Sequence, residues 1–91
     1  MKMTNKKVYV GFETVEDGTR MVQFPDCPGC IVVSLDDETM KKENISSFEE
    51  LVRVVFIGWY ETMVASNLKI NNPSSCLDMP DGAVKIHVVE V

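Results

Sequence analysis

The chain has 91 residues, 45% hydrophobic and 25% charged, with a net charge of −5 and a sequence pI near 4.7. That length supports one modest core and is short for two domains, and the composition is that of a globular protein, not a disordered one. The acid excess leaves no basic footprint of the kind that direct nucleic-acid binding needs, and the longest near-apolar run, Val54 to Tyr60, falls far short of the ~20 residues of a membrane-spanning helix.

The N-terminus, Met-Lys-Met-Thr-Asn-Lys-Lys, has basic residues but no apolar stretch behind them, so no signal peptide is expected. Three cysteines, an odd number, fit a reducing cytoplasm better than a disulfide framework. Lys7 to Val15 reads as a strand, with Val8, Val10 and Phe12 on one face and Tyr9 and Gly11 on the other. Glu16-Asp17-Gly18 signals a hairpin turn, and Thr19 to Phe24 is the returning strand, with Val22 and Phe24 opposite Met21. Pro25 to Cys30 carries two prolines and a glycine, which should break the ladder before a third strand at Ile31 to Leu35. Asp36 to Asn44 reads as an exposed polar loop.

Ser46 or Ser47 is a candidate helix cap. Ser47 with Glu50 three residues on has capping-box spacing, and the helix is expected to run to about Asn67. Phe48, Leu51, Val52, Val55, Trp59 and Met63 form its core stripe. Phe56, Ile57, Tyr60 and Val64 lie on the adjoining flank, where a two-layer domain would leave them wet; Phe56, Tyr60 and Val64 are therefore the expected self-association face. Asn71 to Ser75 and Cys76 to Gly82 are irregular. Ala83 to Val91 is the last strand, alternating Val84, Ile86 and Val88 against Lys85 and His87. The reading is one α+β domain over residues 1–91, in the order β-β-β-α-β, with one helix on a four-stranded sheet. The helix allows a right-handed crossover. The second sheet face then needs a cover or must tolerate water.

At this point the residues resemble a family. The segment Phe24-Pro25-Asp26-Cys27-Pro28-Gly29-Cys30 is similar to the aromatic-Pro-Asp-x-Pro-Gly-Cys segment of HicB-like antitoxins, N-terminal domain. Ser47-Phe48-Glu49-Glu50-Leu51 resembles that family's Thr-Leu-Glu-Glu-Ala helix start, and the closing apolar strand falls where the family has its last. The resemblance implies a partial ribonuclease H-like fold without hydrolytic activity. It also implies a small basic partner, a HicA-type mRNA-cleaving toxin whose active surface the domain covers, and a homo-oligomer, dimeric or larger. Asp26, Asp36, Asp37 and Glu38 are the expected toxin-facing residues. The chain departs from the family in two ways. The stretch from Ile31 to Ser46 is longer than usual, so residues 36–45 look inserted, and no C-terminal helix-turn-helix or ribbon-helix-helix portion is visible, so operator binding is not carried over. A different reading of the same residues is an oligomer without a toxin that binds a small molecule or a metal.

Chemistry-bearing constellations point away from catalysis, and neither a cofactor nor a metal is expected. Cys27-Pro28-Gly29-Cys30 has redox spacing, but a thioredoxin-like thiol needs a helix N-terminus and Ile31-Val32-Val33 reads as strand. A zinc site would need Cys27, Cys30, Cys76 and His87 together, and Cys76 has no closely spaced partner. The resemblance instead packs Cys30 at the turn and lets Cys27 stand for an apolar residue. A two-metal site needs converging acids, whereas Glu13 and Glu90 are distant along their strands and Asp36, Asp37 and Glu38 diverge. His87, flanked by lysine and valine, has no nucleophile in view. Gly11 and Gly58 lack phosphate-loop spacing. Gly58 either permits close helix packing or costs some stability.

Overall fold

Asp17 and Gly18 both take positive φ, 51° and 78°, the left-handed pair whose twist matches that of antiparallel strands in a two-residue hairpin. The computed structural model describes residues 7–74 and 78–91. Cys76, and the first six residues that carry the signal-peptide reading, lie outside the described residues. The turn folds β1 (Val8–Glu16) back on β2 (Thr19–Phe24), with Phe12 opposite Gln23 and Glu16 opposite Thr19.

The expectation that Pro25 to Cys30 leaves the ladder holds only for its first two residues. Pro25 and Asp26 make a turn, and β3 then spans Cys27–Val33, so Pro28 and Gly29 are strand residues. Two circumstances admit Pro28. β3 is an edge strand, and its register against β2 slips between Gln23 and Phe24. One side of an edge backbone has no ladder partner, so a missing donor costs little there.

The sheet order is β3-β2-β1-β4, with every neighbouring pair antiparallel and β4 (Lys85–Glu90) pairing with β1. β3 and β4 therefore run in opposite directions. Their connection is not the parallel crossover to which the handedness rule applies.

Asp36 to Asn44, expected as a loop, is largely helical: α1 spans Asp37–Lys42. The Asp36 carboxylate accepts a hydrogen bond from the Thr39 backbone N–H at 2.8 Å. Asp37 and Glu38 occupy the first turn and Lys41 and Lys42 the last, each sign at the dipole end that favours it. Helix α2 spans Phe48–Ala65, and the Ser47 hydroxyl accepts from the Glu50 N–H at 3.1 Å. The reciprocal bond of the box slips by one residue, because the Glu50 carboxylate accepts from the N–H of Ser46, not Ser47.

α2 lies on the sheet face that carries Tyr9, Gly11, Val22, Phe24, Val32 and Val89, and it buries Phe48, Leu51, Val52 and Phe56. The expected stripe holds at Phe48, Leu51 and Val52, and Trp59 and Met63 are half-buried; it departs only at Val55, whose place Phe56 takes. Val55 is exposed and Phe56 is fully buried, which corrects the placement of Phe56 on a self-association face. Packing decides the exchange: Phe56 stands 4.5 Å from Phe24 and 5.2 Å from Tyr9 between ring centroids, and a ring offers far more apolar area to the core than a valine. Trp59 and Tyr60 extend the aromatic cluster at its partly covered end.

Gly58 lies on the far side of the helix, where an added Cβ meets nothing within 4 Å. Of its two readings, the close-packing one fails. Gly58→Ala should raise stability by about 1 kcal/mol, seen as a higher midpoint in urea, because it removes only a helix-propensity penalty. The fold class is α+β, a four-stranded antiparallel sheet with two helices. Among the described residues no helix is long and apolar enough to cross a membrane.

Candidate functional site

The antiparallel register of β4 on β1 sets His87 opposite Gly11 and Lys85 opposite Glu13, all on the helix side of the sheet. His87 Nε2 lies 2.6 Å from Glu13 Oε1, and both side chains are buried. Arg20 Nε donates to the other Glu13 oxygen at 2.8 Å, and its guanidinium sits 4.3 Å above the Phe48 ring. The Phe48 ring meets His87 edge-on at 5.7 Å. On the rim, Glu49 pairs with both Lys85 and Arg20. The expectation that His87 has only lysine and valines nearby is therefore corrected: neighbours in sequence differ from neighbours across the sheet.

Burial alone would raise the Glu13 carboxyl, but the hydrogen bonds it accepts from Arg20 and shares with His87, with the charge of Arg20, outweigh that and hold it below the usual carboxylate range. Phe48 and Arg20 close the pair from solvent, so its evident work is to tie β4 to β1 under the N-terminal turn of α2. Because the folded carboxyl is lowered, its stabilisation is complete above its ordinary pKa of 4.5 and is lost as pH falls through the folded value. Between about pH 5 and pH 2, urea midpoints should therefore fall more steeply for the native chain than for Glu13→Gln. Parallel curves would assign the acid sensitivity elsewhere.

Cys27 and Cys30 face inward, and burial pushes each thiol up to about 11; Cys30 and Asp26 add to the effect at Cys27. Such thiols are poor nucleophiles and metal ligands at neutral pH. They sit on β3 and His87 on β4, opposite edges of the sheet, roughly 14 Å apart at ordinary strand spacing. The three do not converge, and no group of three or more His, Cys, Asp or Glu able to hold a metal occurs among the described residues.

The expected partner-facing acids are divided. Asp26, in the β2–β3 turn, uses its carboxylate within the chain: Ser74 donates to it from its backbone N–H at 2.8 Å and from its hydroxyl at 2.7 Å. Asn71 donates to the Asp26 carbonyl at 3.0 Å and accepts from the buried Tyr9 hydroxyl at 2.6 Å. Asp26 thus clamps the segment after α2. Asp36, Asp37 and Glu38 lie beyond the other end of β3, roughly 23 Å away. They are exposed on a helix that buries no residue. Of the expected self-association residues, Tyr60 is half-buried against Tyr9 and Phe56, and only Val64 is exposed. In the family-like segment, Phe24 and Cys30 are core, while Pro25, Pro28 and Gly29 are exposed.

Sequence reading located the second sheet face but not its character. Val8, Val10, Ile31, Val33, Ile86 and Val88 lie on the side away from α2, and all except Val10 are exposed. A pocket of about 260 Å³ opens on it, lined by Phe12, Pro25, Pro28, Ile31 and Pro80 among others. The signal was present in the alternation of β1 and β4, whose more regular valine and isoleucine rows are the outer ones. No protein-family model, curated protein or solved structure matches the chain.

Proposed function

We propose that the chain is a non-enzymatic, HicB-like antitoxin domain that binds and neutralises a small basic HicA-type toxin in the cytoplasm, as a homo-oligomer. The observation that carries this reading is the seating of the family-like segments. Phe24 to Cys30 forms the β2–β3 corner with Phe24 and Cys30 in the core, and Ser47 caps the helix whose Phe56 packs on Phe24. The same reading takes the element order β-β-β-α-β, enlarged by α1, as a partial ribonuclease H-like sheet whose last strand has turned antiparallel to β1.

A net charge of −5 favours a basic partner. With Asp26 engaged by Ser74, the toxin-facing acids reduce to those at the start of α1. Asp36 caps that helix, so the clean reversal is Asp37→Lys with Glu38→Lys, which keeps the cap. This double variant should slow association with the toxin roughly tenfold at low salt and flatten its salt dependence. The measurement is stopped-flow binding to a purified HicA-type toxin. The reading as a whole is tested by co-expression with such a toxin: the toxin should arrest growth through mRNA cleavage, and this chain should relieve the arrest. An arrest that this chain leaves untouched overturns it.

A further inference from the structure

We propose that a second copy of this chain packs face to face on the open side of the sheet, about a two-fold axis parallel to the strands, so that β4 of each copy lies over β3 of the other. This deepens the oligomeric part of the reading above and does not depend on the toxin. Three features of the face lead to it.

The first is charge. Within the strands, alternation puts carboxylates on this face only at Glu16 and Glu90, at its two opposite ends; between them stand valine, isoleucine, phenylalanine, methionine and two uncharged polar residues. A basic protein docking here would bury its cations against aliphatic side chains, which is strongly unfavourable. A copy of the same face brings apolar groups to apolar groups and leaves its own terminal carboxylates at the margin.

The second is area. Four strands about 4.8 Å apart and up to nine residues long make a face of roughly 20 by 25 Å, about 500 Å² in plan before side-chain relief is counted. A stable dimer buries about 800 Å² on each partner. Only the whole face, engaged as two packed sheets engage, approaches that requirement. An added strand along one edge or a short peptide in the pocket would cover only a fraction of it.

The third is shape. Val88, the most exposed large hydrophobic at 62%, stands on one edge strand, and the 260 Å³ pocket extends from Phe12 toward the opposite edge beside Ile31; Ile86 and Ile31 are equally exposed, at 49%. Ile86 is opposite Phe12, Phe12 opposite Gln23, and Gln23 opposite Ile31, so Ile86 and Ile31 end the same transverse row. An axis along the strands exchanges the two edges at constant height, which brings the Ile86 of each copy over the Ile31 and pocket of the other. Such an interface is self-complementary, as two-fold contacts must be.

The test uses the full chain alone in sedimentation equilibrium. The native chain should weigh twice the 10.2 kDa of one copy at micromolar concentration. Ile86→Lys and Ile31→Glu should each weaken the dimer at least a hundredfold, with the native circular dichroism spectrum retained because both side chains are exposed. Val88→Lys is the substitute should either disturb the fold. An equimolar mixture of the two variants should recover a dimer, since the lysine of one copy then faces the glutamate of the other. Val64→Lys, on the helix flank, should leave the native dimer intact. A monomeric native chain at 100 µM overturns the proposal, as does loss of the dimer only in Val64→Lys; a mixture that stays monomeric overturns the β4-over-β3 arrangement.

Discussion

Replacing Phe56 with alanine will destabilise the protein by about 3–5 kcal/mol, a large part of the whole stability of a domain this size. The ring is fully buried and touches the rings of Phe24, Tyr9 and Trp59. Its removal opens a cavity where sheet and helix meet, which rigid strands cannot close. The measurement is urea unfolding at one fixed protein concentration, because self-association would add to the apparent stability. Val64→Ala on the exposed flank should move the midpoint by less than about 0.5 kcal/mol. A cost below about 1 kcal/mol at Phe56 would return it to the flank on which helical periodicity places it.

Gly11→Ala has the next largest effect, a loss of about 1–3 kcal/mol from a single added methyl group. The new Cβ would stand 2.7 Å from Val22 Cγ1 and 2.8 and 2.9 Å from two atoms of the Phe24 ring. Gly11 lies on β1 beside these side chains, and its missing Cβ leaves room for the Phe24 ring that packs on Phe56. Combining Gly11→Ala with Val22→Ala relieves the closest clash, so the double variant should be more stable than the sum of the two single losses implies. Strict additivity, read from urea midpoints, would show that strain at Gly11 is not passed through Val22.

Much of the local structure was legible in the chain. Asp17-Gly18 admits few turns besides the one observed, Thr19–Phe24 is bounded where the alternation bounds it, and Ser47 with two glutamates after it fixes the start of α2. Each of these signals acts within a few residues, through φ preferences or a side chain reaching its own backbone. The misreadings share a different origin. Asp36-Asp37-Glu38 looks like a solvated loop because its charges outnumber its apolar residues, yet a capping carboxylate and matched dipole ends suffice for a short helix. Pro28 reads as a strand breaker until β3 is known to be an edge.

The candidate site was the least legible part. Glu13 and His87 are 74 residues apart, and each is ordinary in its own strand. Only the register of β4 on β1 places them in contact. The same holds for Asp26 and Ser74, 48 residues apart, whose contact engages one of the four expected acids within the chain.

Turn residues, caps and alternation thus suffice to declare three early strands, a long helix, a closing strand and an acidic chain with a surplus of apolar surface. They cannot declare which row of each strand faces the helix, because both rows of β1 and β4 carry apolar side chains and a period of two is satisfied by either choice. Tertiary packing made the choice. The rings of Tyr9, Phe24 and Phe56 pack together under α2, with Gly11 leaving room beside Phe24, and this places Phe12 and the valines and isoleucines of its row on the other side. The ring cluster stabilises by burying apolar area, and the face left open is the one from which the protein's association with its own copy is inferred.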